Sequence, residues 1–469
     1  MHVIKIGGGC LHGRTTIAQI LDLIAVHGKG HVIVVSALNG ITNSLIQGME
    51  LALADEENIP AIISRLKSKH ILVANHLIAC RKKQQEYARD LAKSLSRLER
   101  LYYGLNFTRE ISPRMRDIIS SFGERFSAAL LAFALECRGC KATYRLPHKI
   151  GMITDGKFGD ATANLPATVN HFTTHLLPIT GPDTVVFVPG FFGVSEAGDI
   201  TTFGRGGSDY SAAVVAAALD AQRLEIWKDV DGFLSADPRM VHTATLIPTL
   251  SYEEAAELAY FGAAILHPRT IEPVRQKNIP IIIKNTLNPE IQGSIITADS
   301  PKQTRAVKSV AHTTDIGILK VHASGVGARQ GILGLVANRI AEAGINIKSV
   351  VTSQTCISLL LASGDLEAGH KALATLKPEP YQRIEKIDNV ALIAIVGDGL
   401  LQCKGIAARC FGAVAKADVC IEMISFGPSR AALYFLVPRE ALNTTINAIH
   451  STFFPKNDQV PSKGRPSMP

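Results

Sequence analysis

From Met1 to about Thr297, short β-branched runs alternate with longer stretches at helical spacing. That alternation permits few folds, because strands separated by helical crossovers assemble into a mainly parallel sheet. The runs are His2 to Ile6, His31 to Val35, Val185 to Val188, Leu224 to Lys228 and Pro280 to Lys284. Each is nearly continuous in apolar residues, the pattern of a strand covered on both faces. Residues 54–116 break the rhythm. They lack strand-like runs and carry Leu, Lys, Glu and Arg at helical spacing, which predicts a helical insertion.

The character of the chain changes after residue 297. Residues 298–312 form a polar, proline-containing stretch that reads as a linker. Beyond it lies an internal repeat at an offset of 74 residues (318 to 392). Ile318, Lys320 and Val321 align with Leu392, Ala394 and Ile395; Gly325 aligns with Gly399, Gly331–Ile332 with Gly405–Ile406, and Ile340–Ala341 with Val414–Ala415. Each copy predicts a strand, a glycine-containing loop, an amphipathic helix and two further strands, at Ile345 to Val351 and Cys356 to Leu361 in the first copy. The expected boundaries are residues 1–297, a linker at 298–312, repeat domains at 313–385 and 386–456, and a disordered tail at 457–469, where Pro, Ser and Lys prevail.

Composition narrows the function. With 46% hydrophobic and 19% charged residues the 469-residue chain is globular and long enough for two or three cores. The net charge of +8 is scattered. Only Arg81, Lys82 and Lys83 form a basic run, inside a mixed-charge helical stretch, so small anionic ligands fit the charge better than nucleic acid. Eight cysteines are too few for a disulfide scaffold. The single CxxC, Cys137 and Cys140, lacks a second pair or a histidine cluster, so reduced thiols are expected rather than a metal site. No signal-peptide layout precedes the first strand, and no apolar stretch is expected to reach the ~18 residues of a membrane span. These readings predict a cytoplasmic protein without a membrane partner.

Four loops follow predicted strands, and in an open parallel sheet such loops converge at the carboxyl ends of the strands. The first is Lys5, Ile6, Gly7, Gly8, Gly9: glycine amides can approach phosphate oxygens, and Lys5 supplies a positive charge. The second runs from Ser36 to Asn43 and includes Thr42. Either loop alone also reads as a tight turn or a helix cap. In the third, Gly204 to Asp209, Arg205 stands beside two glycines, Ser208 and Asp209 before a small-residue helix, an arrangement suited to an anionic substrate. The fourth runs from Trp227 to Gly232, with Lys228 and Asp229, and leads to Asp237 and Arg239. Residues 151–157 fit GxxxxGK, but Phe158 stands where a P-loop requires Ser or Thr.

Taken in order, FGER at residues 122–125, GRGGSDYSAA at 204–213, DVDG at 229–232, DPR at 237–239 and LHPRTIEP at 266–273 resemble the aspartate kinases of the amino acid kinase superfamily. The repeats resemble paired ACT domains. The resemblance implies an α/β three-layer sandwich with a mainly parallel sheet, followed by two ferredoxin-like (βαββαβ) ACT domains. It also implies transfer of the ATP γ-phosphate to L-aspartate. Lys5 would neutralise the transferring phosphate, with Gly7, Gly8 and Gly9 beneath the phosphates. Ser36, Thr42 and Ser208 would position aspartate, Glu124 would hold its α-ammonium and Arg205 its α-carboxylate. Asp209 would orient Lys5, while Lys228, Asp229 and Arg239 would meet ATP. Mg²⁺ would ride on the ATP phosphates, with no metal site of the protein's own. An amino-acid effector is expected at Gly331, Ile332, Lys348 and Ser353, and the ACT domains imply a homodimer or larger homo-oligomer.

The chain departs from the family at four places. Gly9 and Cys10 replace Thr and Ser of the glycine loop, Ala264 replaces a lysine expected near the nucleotide, Lys228 replaces Thr, and Leu234 stands where a tyrosine is common. Lys348 occupies the place of an aspartate that meets lysine in lysine-inhibited relatives, so L-lysine is expected to be a poor inhibitor. A kinase of another small acceptor and a non-catalytic amino-acid sensor remain as alternative readings.

Overall fold

Every residue of Val3–Ile6 is buried, as a strand with neighbours on both sides requires. In the computed structural model, which describes residues 1–263, 265–298, 306–323, 326, 330–376 and 381–455, this strand lies inside an eight-stranded sheet. Across the sheet the order is Lys141–Tyr144, Thr184–Pro189, Val32–Val35, Val3–Ile6, Leu224–Lys228, Ile281–Asn285, Ser294–Thr297 and Thr249–Ser251. Neighbours are parallel except Ile281–Asn285 with Ser294–Thr297. From Val3–Ile6 the chain proceeds to Val32–Val35 on one side and returns later to Leu224–Lys228 on the other. The order therefore reverses at the central strand, and the loops leaving its carboxyl end part to leave a crevice.

The predicted insertion is helical, comprising Asn58–Leu77 and Arg81–Thr108 after Ile41–Ala54. Arg81–Thr108 buries Leu91, Leu95, Leu98, Tyr102 and Leu105 at intervals of three or four residues, one stripe of an otherwise polar helix. Phe122–Glu136 is buried almost all round. The apolar helical stretch Pro113–Glu136 is long enough to cross a membrane, which corrects the expectation that none is, but 89% of its most apolar window is buried in the protein. It is core, and Glu124 and Arg125 are held within it.

The chain divides into two units. The first is Met1–Phe233, Leu246–Ala256 and Ala264–Pro301; the second is Leu234–Thr245, Glu257–Ala263 and Lys302–Pro469. The second holds two four-stranded antiparallel sheets, ordered Ser349–Thr352, Cys356–Leu361, Gly317–His322, Arg383–Ile387 and Ser309–Thr313, Val390–Val396, Ala432–Pro438, Met423–Phe426. The sequence repeat is a structural one: Ile332–Glu342 and Ile406–Lys416 both begin after a left-handed glycine, Gly331 at φ 86° and Gly405 at φ 81°.

The predicted boundaries need two corrections. Ser309–Thr313, which runs from the expected linker into the first residue of the expected repeat domain, is an edge strand paired with Val390–Val396. It supplies the fourth strand that the second repeat does not make for itself, covering backbone groups that an open edge would expose. The modules thus interlock, and a cut between residues 385 and 386 would fall within the strand Arg383–Ile387. Residues 234–245 and 257–263 also belong to the second unit rather than to a continuous 1–297 domain. The expected tail lies outside the described residues.

Candidate active site

The crevice beside Val3–Ile6 holds a cleft of about 270 Å³ lined by Lys5, Gly7, Gly8, Gly9, Lys228 and Asp229, among others. Lys5, the penultimate residue of its strand, is buried, and its Nζ lies 2.5 Å from Asp209 Oδ1. Lys228, at the end of the adjacent strand, reaches Asp209 Oδ2 at 3.4 Å. Asp209 stands in the first turn of Gly207–Ala218, where the helix N-terminus also favours an anion. Burial would push its carboxyl up, but Lys5 and Lys228 outweigh that and hold it below the usual carboxylate range. Burial pulls Lys228 down from the ordinary lysine value, with Asp209 opposing and Lys5 assisting. Two ammoniums thus share one carboxylate at the cleft, with the Asp229 carboxylate lining it as well, so both cations are fixed where an anionic ligand would meet them.

The loop after Lys5 is closely packed, most tightly at Gly9. A Cβ at Gly7 would lie 3.4 Å from Lys5 Nζ, and one at Gly9 would lie 3.3 Å from Asp229 Oδ2. The Gly7 amide donates to the Trp227 carbonyl at 3.1 Å. Among the described residues the amides of Gly8 and Gly9 have no acceptor, so these two, rather than all three, remain for a phosphate. Cys10 also lines the cleft; its thiol donates to the Trp227 carbonyl at 3.6 Å and accepts from Thr286 Oγ1 at 3.4 Å.

Ser36 follows Val32–Val35 next to the glycine loop; a Cβ on Gly8 would lie 3.7 Å from its Cβ. Its carbonyl accepts from Ser127 Oγ at 2.6 Å, a positioning contact that no local pattern announces. Thr42 lies half-buried in the first turn of Ile41–Ala54. Glu124 is buried in Phe122–Glu136, where Oε1 accepts from the Ala37 amide at 3.2 Å and Oε2 has no partner. Burial pushes its carboxyl up to about 8 against the opposing pull of the Ala37 amide and Lys5.

Arg205 is exposed between Gly204 and Gly206, both at positive φ (70° and 72°), and makes no ion pair among the described residues. Ser208 is half-buried beside Gly190, where a Cβ would approach Ser208 Cβ to 2.9 Å. Arg239 lies in the second unit, bound to Asp237 at 2.6 Å with its side chain 86% exposed. Of the expected effector residues, Gly331 caps its helix, Ile332 is buried and Ser353 is exposed. Lys348 Nζ bonds to the Asp315 carbonyl at 2.5 Å and lies 3.4 Å from its carboxylate. Ala264 lies outside the described residues.

Residues 1–285 match the amino acid kinase family, and residues 393–453 match the ACT domain. The chain is 34% identical over 352 residues to the bifunctional aspartokinase/homoserine dehydrogenase of Haemophilus influenzae, covering 74% of this chain and 43% of that protein, so it spans less than half of that relative. It is 31% identical over 470 residues to aspartokinase 1, chloroplastic, of Arabidopsis thaliana, covering 97% of this chain and 80% of that one. The solved structure of E. coli aspartokinase III in complex with aspartate and ADP matches with a TM-score of 0.82 at 27% identity, covering 97% of this chain and 100% of that one. The chain belongs to the aspartokinases of the amino acid kinase family.

Proposed function

We propose that this chain transfers the γ-phosphoryl group of ATP to the β-carboxylate of L-aspartate, giving 4-phospho-L-aspartate and ADP, the first step toward amino acids built from aspartate. The observation that carries the reading is Glu124: a buried carboxylate oxygen without a donor, in the unit whose cleft holds two lysine ammoniums. An acceptor in that position calls for an ammonium, and an amino acid brings one along with its carboxylates. Arg205, free and exposed, takes the α-carboxylate; Ser36, Thr42 and Ser208 complete the amino-acid site. One β-carboxylate oxygen forms the new bond to the γ-phosphorus, and the bond from that phosphorus to the bridging oxygen of ADP breaks. The nucleophile is ionised at neutral pH, so no general base is needed. Alignment and charge neutralisation by Lys5 and Lys228 supply the catalysis. Asp209 orients both ammoniums.

The amides of Gly8 and Gly9 cradle the phosphates. Mg²⁺ would come bound to the nucleotide and offset phosphate charge, and Asp229, the carboxylate lining the cleft, would share in holding it. The related E. coli enzyme binds aspartate and ADP, which supports this pairing of ligands. Arg239 contributes to ATP binding if it leaves Asp237. The ACT modules bind an amino-acid effector near Gly331, Ile332, Lys348 and Ser353, and pair across subunits. Exposed Val350, Ile424 and Phe426 on the edge strands Ser349–Thr352 and Met423–Phe426 support that pairing. Eight unpaired cysteines suit a reducing, cytoplasmic compartment.

The test is incubation with Mg-ATP, L-aspartate and hydroxylamine, following ADP and hydroxamate together, with L-glutamate and no acceptor as controls. Aspartate-dependent hydroxamate is expected. Amino-acid binding without ADP release or hydroxamate would replace the kinase by a sensor.

A further inference from the structure

A second cavity, of about 190 Å³, lies in the first unit between Arg81–Thr108 and Phe122–Glu136 and shares no lining residue with the catalytic cleft. Lys93, Arg97 and Arg125 line it against a single carboxylate, Asp90, which already accepts from the Tyr144 hydroxyl at 2.9 Å. Arg125 is the telling group. Although it follows Glu124 in sequence, successive helix residues point about 100° apart, and it turns away from the catalytic crevice.

Arg125 is buried, yet no carboxylate pairs with it among the described residues. Its Nε donates to Ser121 Oγ at 3.0 Å, and its guanidinium lies 5.2 Å and 4.8 Å from the ring centres of Phe122 and Phe192. Two aromatic faces and one hydroxyl compensate a buried cation poorly. The other basic groups make matters worse: burial lowers Arg125 to about 10, with Arg97 adding to the fall. His148, packed nearby, is driven down to about 4 by burial and by Arg125, Lys149 and Arg97, so it stays neutral. A second orphan lies in the same wall. Tyr87 is 1% exposed, and its hydroxyl has no hydrogen-bond partner.

We propose that this cavity binds a small organic carboxylate, held by the guanidinium groups of Arg125 and Arg97. The planar fork of arginine matches a carboxylate. Leu91, Phe126 and Ala129 line the remainder and suit a short carbon skeleton over a bare inorganic ion. At roughly 30 Å³ per water, the space amounts to about six waters, the size of a three- or four-carbon acid. The excess of positive charge favours a dicarboxylate.

Calorimetric titration of the full-length chain with sodium malonate tests the proposal, run in saturating L-aspartate and ADP so that the catalytic cleft is filled, with sodium chloride at matched ionic strength and inorganic phosphate as controls. Saturable binding of malonate is expected, weakened at least tenfold in both Arg97→Ala and Arg125→Met. Arg97 is exposed, so its variant keeps the test intact if the buried substitution fails to fold. Absence of saturable binding, malonate affinity unchanged in Arg97→Ala, or binding of phosphate in place of malonate would each overturn it.

Discussion

Replacing Glu124 with Gln separates its two effects, on substrate and on stability. Burial raises the Glu124 carboxyl from 4.5 to about 8, so below that pH it is mostly protonated and unable to hold an ammonium. The ionised fraction is about 0.1 at pH 7 and about 0.9 at pH 9, and apparent affinity scales with the competent fraction. The value of kcat/KM for aspartate should therefore rise about tenfold over that range, while KM for ATP changes little. Glu124→Gln should lose the rise and lie below the wild type throughout. Stability runs the other way. Between pH 4.5 and 8 the unfolded chain ionises this group while the folded chain does not, so stability falls as pH rises; the full shift is worth up to about 5 kcal/mol above pH 8. The variant escapes that loss and should melt higher than the wild type at pH 9. Steady-state kinetics at fixed ionic strength and thermal melts across the same buffers decide the matter. A flat wild-type profile from pH 7 to 9, or a variant that keeps the rise, refutes the assignment.

Lys228→Met should lower kcat by a factor of tens to about a thousand, the range for losing a charge that stabilises the transition state, and weaken ATP binding; full turnover with unchanged KM for ATP removes Lys228 from the site. Arg205→Ala should raise KM for aspartate by roughly ten- to a hundredfold, from a lost charge-assisted hydrogen bond of about 1.5–3 kcal/mol. Because Arg205 is exposed, its melting temperature should not move, and an unchanged KM excludes the contact. L-lysine at millimolar concentration should leave initial rates almost unaltered, since Lys348 presents a like charge to its ammonium. Strong inhibition in the steady-state assay would show that Lys348, tied to Asp315, does not face the effector.

The five strands at the centre of the sheet were legible because complete burial leaves a run such as VIVV at Val32–Val35 without alternation. Lys141–Tyr144 was not: it is an edge strand with an exposed first residue and only one fully buried position. Thr249–Ser251 is only three residues long, and Ser294–Thr297, with polar ends and alternating burial, lacks the continuous apolar run of the central strands. The interlocked repeat was hidden for another reason. A local pattern can announce that Ser309–Thr313 is extended, but its partner Val390–Val396 lies far along the chain, and register between distant strands leaves no periodic trace.

At the site, residue types were readable and their pairings were not. Glycines, Lys5, Arg205 and Asp209 announce an anion site because few other environments use them together after strands. Which groups face one another depends on side-chain directions. Cys10 illustrates the limit: its position in the glycine loop places it at the cleft, but no local pattern announces that its thiol bonds the Trp227 carbonyl and Thr286. Gly9 has the opposite lesson, since any side chain there would crowd Asp229. The departures at positions 9 and 228 thus meet at one cleft, where a side chain has been withdrawn beside Asp229 and an ammonium added beside Asp209. An added cation alone could only tighten the hold on phosphate, in ground state and transition state alike. An added cation that shares Asp209 with Lys5 is fixed before substrate arrives, and that preorganisation can favour the charge distribution of transfer. A selective loss of kcat in Lys228→Met would therefore point to transition-state stabilisation, whereas a rise in KM for ATP alone would point to simple phosphate binding.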